Sequence, residues 1–120
     1  MGDTRSPDRA DDPVVTDPDK YHVVLENDRV RVLEYRDEPG ARTSAHRHPD
    51  SVMCTLSGFE RRLAYDGGSR DVRMEQGHVA WLPAQVHAGE NIGRTSTHVI
   101  FVELKNSTTR PSTHPDAAPA

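Results

Sequence analysis

The sequence contains a single cysteine, Cys54, so no disulfide bond can form within the chain. It also lacks an apolar run long enough to cross a membrane and a hydrophobic segment of the kind found in secretory signal peptides. Only 33% of its residues are apolar and 5% are aromatic, which suffices for one modest hydrophobic core. These absences predict a small cytoplasmic protein without membrane contact, in which Cys54 is an ordinary packing residue.

Much of the polar character lies at the two ends of the chain. Residues 1–19 carry six Asp and two Arg, so their net charge of −4 equals that of the whole chain, and residues 105–120 are rich in Pro, Ser and Thr. Such segments bury too little apolar surface to offset the entropy of ordering. We therefore predict a disordered acidic tail over 1–19, one folded domain over 20–104 and a disordered tail over 105–120. The domain is nearly neutral and has no basic surface suited to nucleic acid.

The folded part alternates between apolar and polar residues with a period of two, and the helical period is almost absent. Turn residues separate the alternating runs at intervals of about eight to twelve residues. This pattern is typical of an all-β sandwich or barrel, and by itself it does not distinguish a jelly roll from an immunoglobulin-like sandwich. The predicted strands cover residues 21–26, 30–36, 42–48, 52–56, 59–65, 71–75, 78–82 and 98–104, with a loop or short strand at 86–91.

Three histidines are candidates for a metal site. His46 and His48 are two residues apart, so on a strand their side chains leave the same face and can converge on one ion. His87 lies in a later element and is a third nitrogen donor. Imidazole ligands suit Zn, Fe, Ni and Cu. Because the chain has seven His, an accidental His-x-His pair remains an alternative at this point.

The residues around these histidines carry a resemblance to a known family. Residues 40–48 read Gly, five residues and His-x-His, and Gly58 follows downstream; residues 77–83 read Gly, five residues and Pro, and residues 87–91 read His-Ala-Gly-Glu-Asn. In this order the two stretches resemble the two motifs of the cupin superfamily, and they are similar to a group of short, single-domain bacterial cupins. The resemblance implies a cupin-type jelly-roll β-barrel of the RmlC-like kind.

The resemblance also implies one divalent metal ion, Fe, Zn, Mn or Ni, held by His46, His48 and His87. The family's usual glutamate ligand falls on Ser51 here, which implies a shell reduced to three His with open positions. The adjacent Asp50 carries a carboxylate, and whether it replaces the glutamate stays open.

Strand parity suggests further cavity residues. Met53 and Thr55 share the parity of Ser51, so all three face either the cavity or the ordinary barrel core. His98 begins the last predicted strand and is another candidate for the cavity lining, with a structural role at the strand end as the alternative.

A shell of three neutral His directs the full charge of the ion at the cavity, which favours anionic or chelating ligands. We therefore interpret the chain as a metal-dependent enzyme acting on a small organic or anionic substrate. Dioxygenase, isomerase or cyclase, and hydrolytic chemistry are all compatible with such a shell. Glu90 and Gln85 are candidate catalytic residues for proton transfer or orientation, and no cofactor other than the metal is predicted.

Two other interpretations remain. One is a non-catalytic module that binds a small ligand or a metal. The other is a metal-free enzyme of the sugar-epimerase kind, which needs a Lys near its His base, whereas Lys20 and Lys105 lie at the edges of the predicted domain. Because small open barrels usually pair or cover their edge strands, we also predict a homodimer.

Overall fold

The computed structural model describes residues 10–105, so the predictions for residues 1–9 and 106–120 lie outside the described part of the chain. No helix within these described residues is long and apolar enough to cross a membrane. The described elements are one short helix, α1 (Pro13–Thr16), and the strands β1 (Tyr21–Glu26), β2 (Val30–Asp37), β3 (His46–His48), β4 (Ser51–Thr55), β5 (Phe59–Tyr65), β6 (Gly68–Met74), β7 (Val79–Leu82), β8 (Gln85–Asn91) and β9 (Thr97–Leu104).

The strands form two antiparallel sheets whose inner faces share one core. One sheet has the order β1-β2-β9-β4-β7 and the other the order β3-β8-β5-β6. The chain passes repeatedly from one sheet to the other, so strands that pair, such as β2 and β9, are distant in sequence, as in a jelly roll. The core consists of Tyr21, Leu33, Tyr35, Met53, Phe59, Val99 and Phe101. The predicted all-β architecture is confirmed.

Strand β9 shows how the period-two pattern places polar groups inside. Its inner face carries Thr97, Val99, Phe101 and Glu103, all of them buried, whereas the alternate residues are half-buried. Glu103 therefore enters the barrel as a direct consequence of strand alternation.

The pairing of β3 with β8 brings the two predicted motifs together. His46 lies opposite His87 in the antiparallel register, and His48 lies opposite Gln85. Strand β3 has only three residues and is followed by Pro49, which lacks the N–H needed to continue a ladder. The predicted strand over 42–48 ends where expected but begins four residues later, with only an isolated bridge at Arg42 before it.

The predicted start of the folded domain at residue 20 is too late, because residues 10–19 are also ordered against the barrel. Helix α1 is capped by the Asp12 carboxylate, which accepts from the Val14 N–H at 3.0 Å. Asp12, Pro13 and Asp17 are buried against the barrel. The composition of this stretch predicts mobility because its Asp residues are charged, but the structure places two of them where they accept hydrogen bonds or pair with an arginine.

Candidate metal centre

The side chains of His46, His48 and His87 converge inside the barrel. Each offers a ligand nitrogen, and these nitrogens all lie within 4.8 Å of one another. The ring centroids are 4.8 Å apart for His46 and His48, 4.9 Å for His46 and His87, and 5.2 Å for His48 and His87. The convergence follows from the two-residue spacing on β3 and from the pairing of β3 with β8.

Each imidazole is oriented by an oxygen that faces its Nδ1. The Nδ1 of His46 lies 2.7 Å from the Ser44 carbonyl oxygen, and the Nδ1 of His87 lies 2.7 Å from Oε1 of Gln85. The Nδ1 of His48 lies 3.3 Å from Oε2 of Glu103. Since these oxygens are acceptors, each Nδ1 is the donor, and a neutral imidazole in this tautomer has its lone pair on Nε2.

Burial keeps at least two of these imidazoles neutral. Desolvation, assisted by the neighbouring His48, lowers the pKa of His46 to about 4. Desolvation together with the other two imidazoles lowers the pKa of His87 to about 3. Metal ions bind the neutral form of imidazole, so these two side chains are ready to ligate at pH 7.

The donor set fits a divalent transition metal. The Nε2 of His48 is fully buried and has no hydrogen-bond partner among the described residues. A buried polar atom without a partner is costly, and a metal ion at the meeting point of the three imidazoles would satisfy it. Three nitrogen donors suit Fe, Zn and Ni better than they suit Mg or Ca.

Glu103 connects the site to two further buried charges. Its Oε1 accepts from Nε of Arg31 at 2.9 Å, and Nη2 of Arg31 lies 3.1 Å from the Asp12 carboxylate. Burial alone would raise the pKa of Glu103, but the hydrogen bond from His48 and the charge of Arg31 outweigh burial and lower it. Glu103 is therefore an anion that orients His48.

A cavity of about 320 Å³ adjoins His46 and His87. Aromatic and aliphatic side chains from both sheets line most of it, among them Tyr21, Tyr35, Met53, Phe59, Val99 and Phe101. The volume and the apolar lining are typical of a pocket for a small organic molecule.

Arg61 is a buried cation in the cavity wall. Its Nη1 donates to Asp37 at 2.7 Å and to Thr97 at 3.1 Å, and its Nη2 donates to the Tyr35 hydroxyl at 3.1 Å. Two of its five N–H groups have no acceptor among the described residues. The guanidinium fits because a side chain is missing at Gly89, where a Cβ would lie 2.9 Å from Nη2 of Arg61.

Tyr21 places a hydroxyl beside the histidines. Its Oη lies 3.3 Å from Nε2 of His46, and its ring packs edge-on against the His46 ring. Burial and the neighbouring Tyr35 raise the pKa of Tyr21 well above its usual range, so the group remains a neutral phenol and a hydrogen-bond donor.

Several solved structures of other proteins share this fold. A cupin domain from Bordetella pertussis Tohama I is 29% identical, with a TM-score of 0.67, and the match covers 71% of this chain and 91% of that one. The chain belongs to the cupin superfamily. No protein-family model and no curated protein sequence matches it. The similarity of this cupin to other cupins is found by comparing structures.

Two further structures share the fold of this cupin at lower identity. A conserved protein with a double-stranded β-helix domain from Klebsiella pneumoniae is 24% identical, covers 73% of this chain and 75% of that one, and has a TM-score of 0.57. A polyketide cyclase from Streptomyces resistomycificus is 17% identical, covers 70% and 63%, and has a TM-score of 0.53. These matches show the fold alone.

The predicted cavity residues on β4 differ in their placement. Met53 lines the cavity and also belongs to the hydrophobic core. Ser51 and Thr55 are fully buried but are not part of its wall. The Thr55 hydroxyl donates to the Glu75 carbonyl at 2.6 Å. The Ser51 Oγ has no partner among the described residues, and Ser51 lies directly opposite Glu103.

Three sequence-predicted site residues point away from the histidines. Asp50 accepts from the Ala84 N–H at 2.9 Å, so its carboxylate does not replace the glutamate ligand. His98 lies on the outer face of β9, where its Nε2 is 2.7 Å from the Glu34 carboxylate. Glu90 lies on the face of β8 opposite to His87, with Arg42 at 3.7 Å. Strand alternation is the reason for the last two corrections.

Gln85 lies next to the histidines, in an orienting position. Its Oε1 faces Nδ1 of His87, and its Nε2 donates to the Pro83 carbonyl at 3.0 Å, which fixes the orientation of the amide. Sequence reasoning missed Tyr21, Arg61 and Glu103. A signal existed for two of them, because Arg61 and Glu103 are charged residues on the apolar faces of β5 and β9.

Proposed function

We propose that this cupin is a metal-dependent enzyme that acts on a small organic molecule. The observation that supports the proposal is the convergence of three buried imidazoles, each with its Nδ1 anchored to an oxygen, beside an apolar cavity. In the proposed site His46, His48 and His87 hold one divalent ion through their Nε2 atoms. A bound ion of this kind polarises an oxygen of the substrate and provides open coordination positions.

The cavity supports a substrate that is mainly apolar and carries an anionic or chelating oxygen. The aromatic and aliphatic wall would contact the apolar part. Arg61 has two N–H groups that can donate to an anionic group, and Tyr21 can donate a hydrogen bond to a substrate oxygen near His46. Gln85 would hold the His87 ring in place. Isomerase or cyclase, dioxygenase and hydrolytic reactions all remain candidates, since a cupin fold does not determine the reaction.

One observation favours a second candidate, a non-catalytic cupin that binds a small ligand. No carboxylate belongs to the cavity wall formed by the described residues, so a general base of the Asp or Glu type is missing there. A ligand-binding module needs no such base.

Elemental analysis of the protein purified without chelator and without a His tag tests the metal. We expect about one equivalent of a divalent transition metal per chain, and a content near zero would contradict the proposal. Incubation of the metal-loaded protein with a panel of small aromatic carboxylates and enols, followed by mass spectrometry, separates the two candidates. Chemical conversion supports the enzyme, whereas saturable binding without conversion supports the binding module.

A further inference from the structure

Residues 11–17, here called the N-terminal segment, pack along the strand that carries His46 and His48. The Arg47 backbone N–H donates to the Asp11 carbonyl at 2.8 Å, and the Arg47 Nε donates to the Asp11 carboxylate at 3.0 Å. Strand β3 lies at the edge of its sheet. The N-terminal segment therefore provides a partner on the side of β3 where none of the described strands pairs with it.

A chain of buried ion pairs and hydrogen bonds, here called a relay, connects this segment to His48. The Asp12 carboxylate contacts Arg31 at 3.1 Å, Arg31 contacts Glu103 at 2.9 Å, and Glu103 contacts Nδ1 of His48 at 3.3 Å. All four side chains are buried, with at most 7% of any of them exposed. An oxygen partner at Nδ1 fixes the direction in which the Nε2 of a ligating histidine points.

A second relay leads from the same segment to His46. Both oxygens of the buried Asp17 carboxylate lie 3.2 Å from the Ser44 N–H. The Ser44 carbonyl is the acceptor 2.7 Å from Nδ1 of His46. Asp17 thus holds the residue that orients His46, and its carboxylate lies 3.9 Å from the same ring nitrogen.

The charges of the two relays complement a cation at the histidines. Asp12, Arg31 and Glu103 together carry a formal charge of −1, and Asp17 carries another. A divalent ion held by three neutral imidazoles keeps its charge of +2. Electrostatic attraction is stronger inside the protein than in water, so these buried carboxylates stabilise the ion although they do not touch it. They supply negative charge that Ser51, at the glutamate position, does not provide.

We propose that the N-terminal segment is part of the metal centre, so that its docking on β3 and the binding of a divalent ion stabilise each other. Asp12 and Asp17 are positioning residues that act through Arg31–Glu103 and through Ser44. The inference rests on the proposed function in one respect, namely that the three histidines bind a metal. Coupling of this kind is reciprocal: the factor by which docking raises metal affinity is the factor by which metal favours docking.

Hydrogen exchange on the full, unaltered chain is the first test. Peptides that cover residues 11–17 and 44–48 are followed by mass spectrometry without metal and with saturating Zn²⁺. We expect exchange in both peptides to slow about tenfold with Zn²⁺, while the tip of the β5–β6 hairpin, residues 65–69, does not change. Equal exchange of residues 11–17 with and without Zn²⁺ would overturn the inference.

Variants of the carboxylates are the second test, with Co²⁺ as the spectroscopic probe. Loss of a residue that orients a metal ligand typically lowers affinity by about 10–100-fold. We expect Asp17→Ala to weaken Co²⁺ binding at least tenfold and to shift the visible absorption bands, with Asp12→Asn acting in the same direction. Asp17→Asn keeps an oxygen that can accept from Ser44 and should recover part of the affinity.

Asp19→Asn is the matched control. Asp19 lies just beyond the segment, is exposed and pairs with Lys20, so the variant makes the same charge change without touching either relay. Its Co²⁺ affinity and spectrum should equal those of the unaltered chain. A purely structural role for Asp17 would lower the melting temperature without shifting the Co²⁺ bands of the folded protein, and this result would count against the inference.

The two proposals fail in distinguishable ways. If the unaltered chain binds neither Zn²⁺ nor Co²⁺, both are overturned. If it binds one equivalent and His46→Ala does not, but Asp17→Ala binds like the unaltered chain and exchange is insensitive to metal, only the inference about the segment is overturned. Because the exchange experiment uses the unaltered chain, it decides the question even if Asp17→Ala does not fold.

Discussion

At the scale of single residues, three histidines define the candidate site of this cupin. We expect His46→Ala, His48→Ala and His87→Ala each to remove most of the bound metal, since two remaining nitrogen donors are too few for a tight site. His22→Ala and His98→Ala should keep their metal, because neither residue belongs to the cluster. Metal per chain, measured by elemental analysis after exhaustive buffer exchange, checks this. Full metal content in the three cluster variants would refute the assignment.

The depressed pKa of His46 predicts how the metal-free protein responds to pH. Its pKa is about 4 in the folded state and 6.5 ordinarily, so the unfolded chain binds the proton more readily. The free energy of unfolding should therefore fall as the pH drops below 6.5 and level off below 4, by about 2 kcal/mol between pH 7 and pH 5 for this residue alone.

Urea denaturation of chelator-treated protein at pH 7 and pH 5 measures this loss. His46→Asn is the control, since its side chain does not titrate and the loss should be smaller. Equal stability of the unaltered protein at both pH values would show that the buried imidazole is not held neutral.

The close approach of Arg61 to Gly89 predicts that a side chain added at this position destabilises the protein. A Cβ there would lie 2.9 Å from Nη2 of Arg61, a side chain fixed by its ion pair with Asp37. Gly89→Ala should cost about 1–3 kcal/mol of stability, as overpacked cores do. Gly68→Ala, where no atom lies within 4 Å of the added Cβ, should cost much less. Similar melting temperatures for the two variants would argue against the close approach.

At the scale of elements, the N-terminal stretch is the main correction to the sequence-based prediction. Its composition predicts that residues 1–15 can be removed without effect, whereas Asp12 and Pro13 are buried. Deletion of residues 1–15 should lower the free energy of unfolding by about 2 kcal/mol or more, because Arg31 loses one of its two buried carboxylate partners.

Deletion of residues 1–9 is the comparison for this experiment. That stretch is polar, and we expect its removal to change stability little. Urea denaturation of the two shortened chains measures the difference. If both are as stable as the full chain, the contacts of Asp12 do not contribute to folding.

For strand β9 the sequence predicts the position of the strand correctly but does not show which of its two faces is buried. Both of its alternating sets are partly apolar, so the sequence offered Ile100 and Val102 as easily as Val99 and Phe101 for the core. The structure buries the set that contains Glu103 and leaves His98 outside. For β8 the parity was readable from the sequence, because a strand that turns His87 inward turns Glu90 outward.

At the scale of the whole molecule, the predicted homodimer remains a prediction. Strand β1 is an edge strand whose Val23, Val24 and Leu25 side chains are 45%, 57% and 50% exposed. Apolar edge strands favour pairing with another chain. We expect sedimentation at micromolar concentration to show a dimer and Val24→Lys to shift it toward monomer, while Arg70→Lys, on the other sheet, does not. A monomer for the unaltered chain would refute the prediction.

The sequence by itself determined the all-β class, most strand positions and the three histidines. These features depend on patterns within short windows: a period of two, turn residues between strands, and two motifs that each cover fewer than twenty consecutive residues. The two-residue spacing of His46 and His48 fixes their common face wherever the strand is placed.

Only the tertiary structure decided what surrounds the histidines. Glu103 meets His48 across 55 positions of sequence, and Arg31 meets Glu103 across 72, so no local pattern could pair them. In the sequence, Asp12 is one charged residue of an acidic stretch. Its ion pair with Arg31 is visible only in the folded structure. A carboxylate is stable inside a protein only when partners neutralise and hydrogen-bond it, and those partners are brought together by strand order and register, which the sequence pattern leaves undetermined.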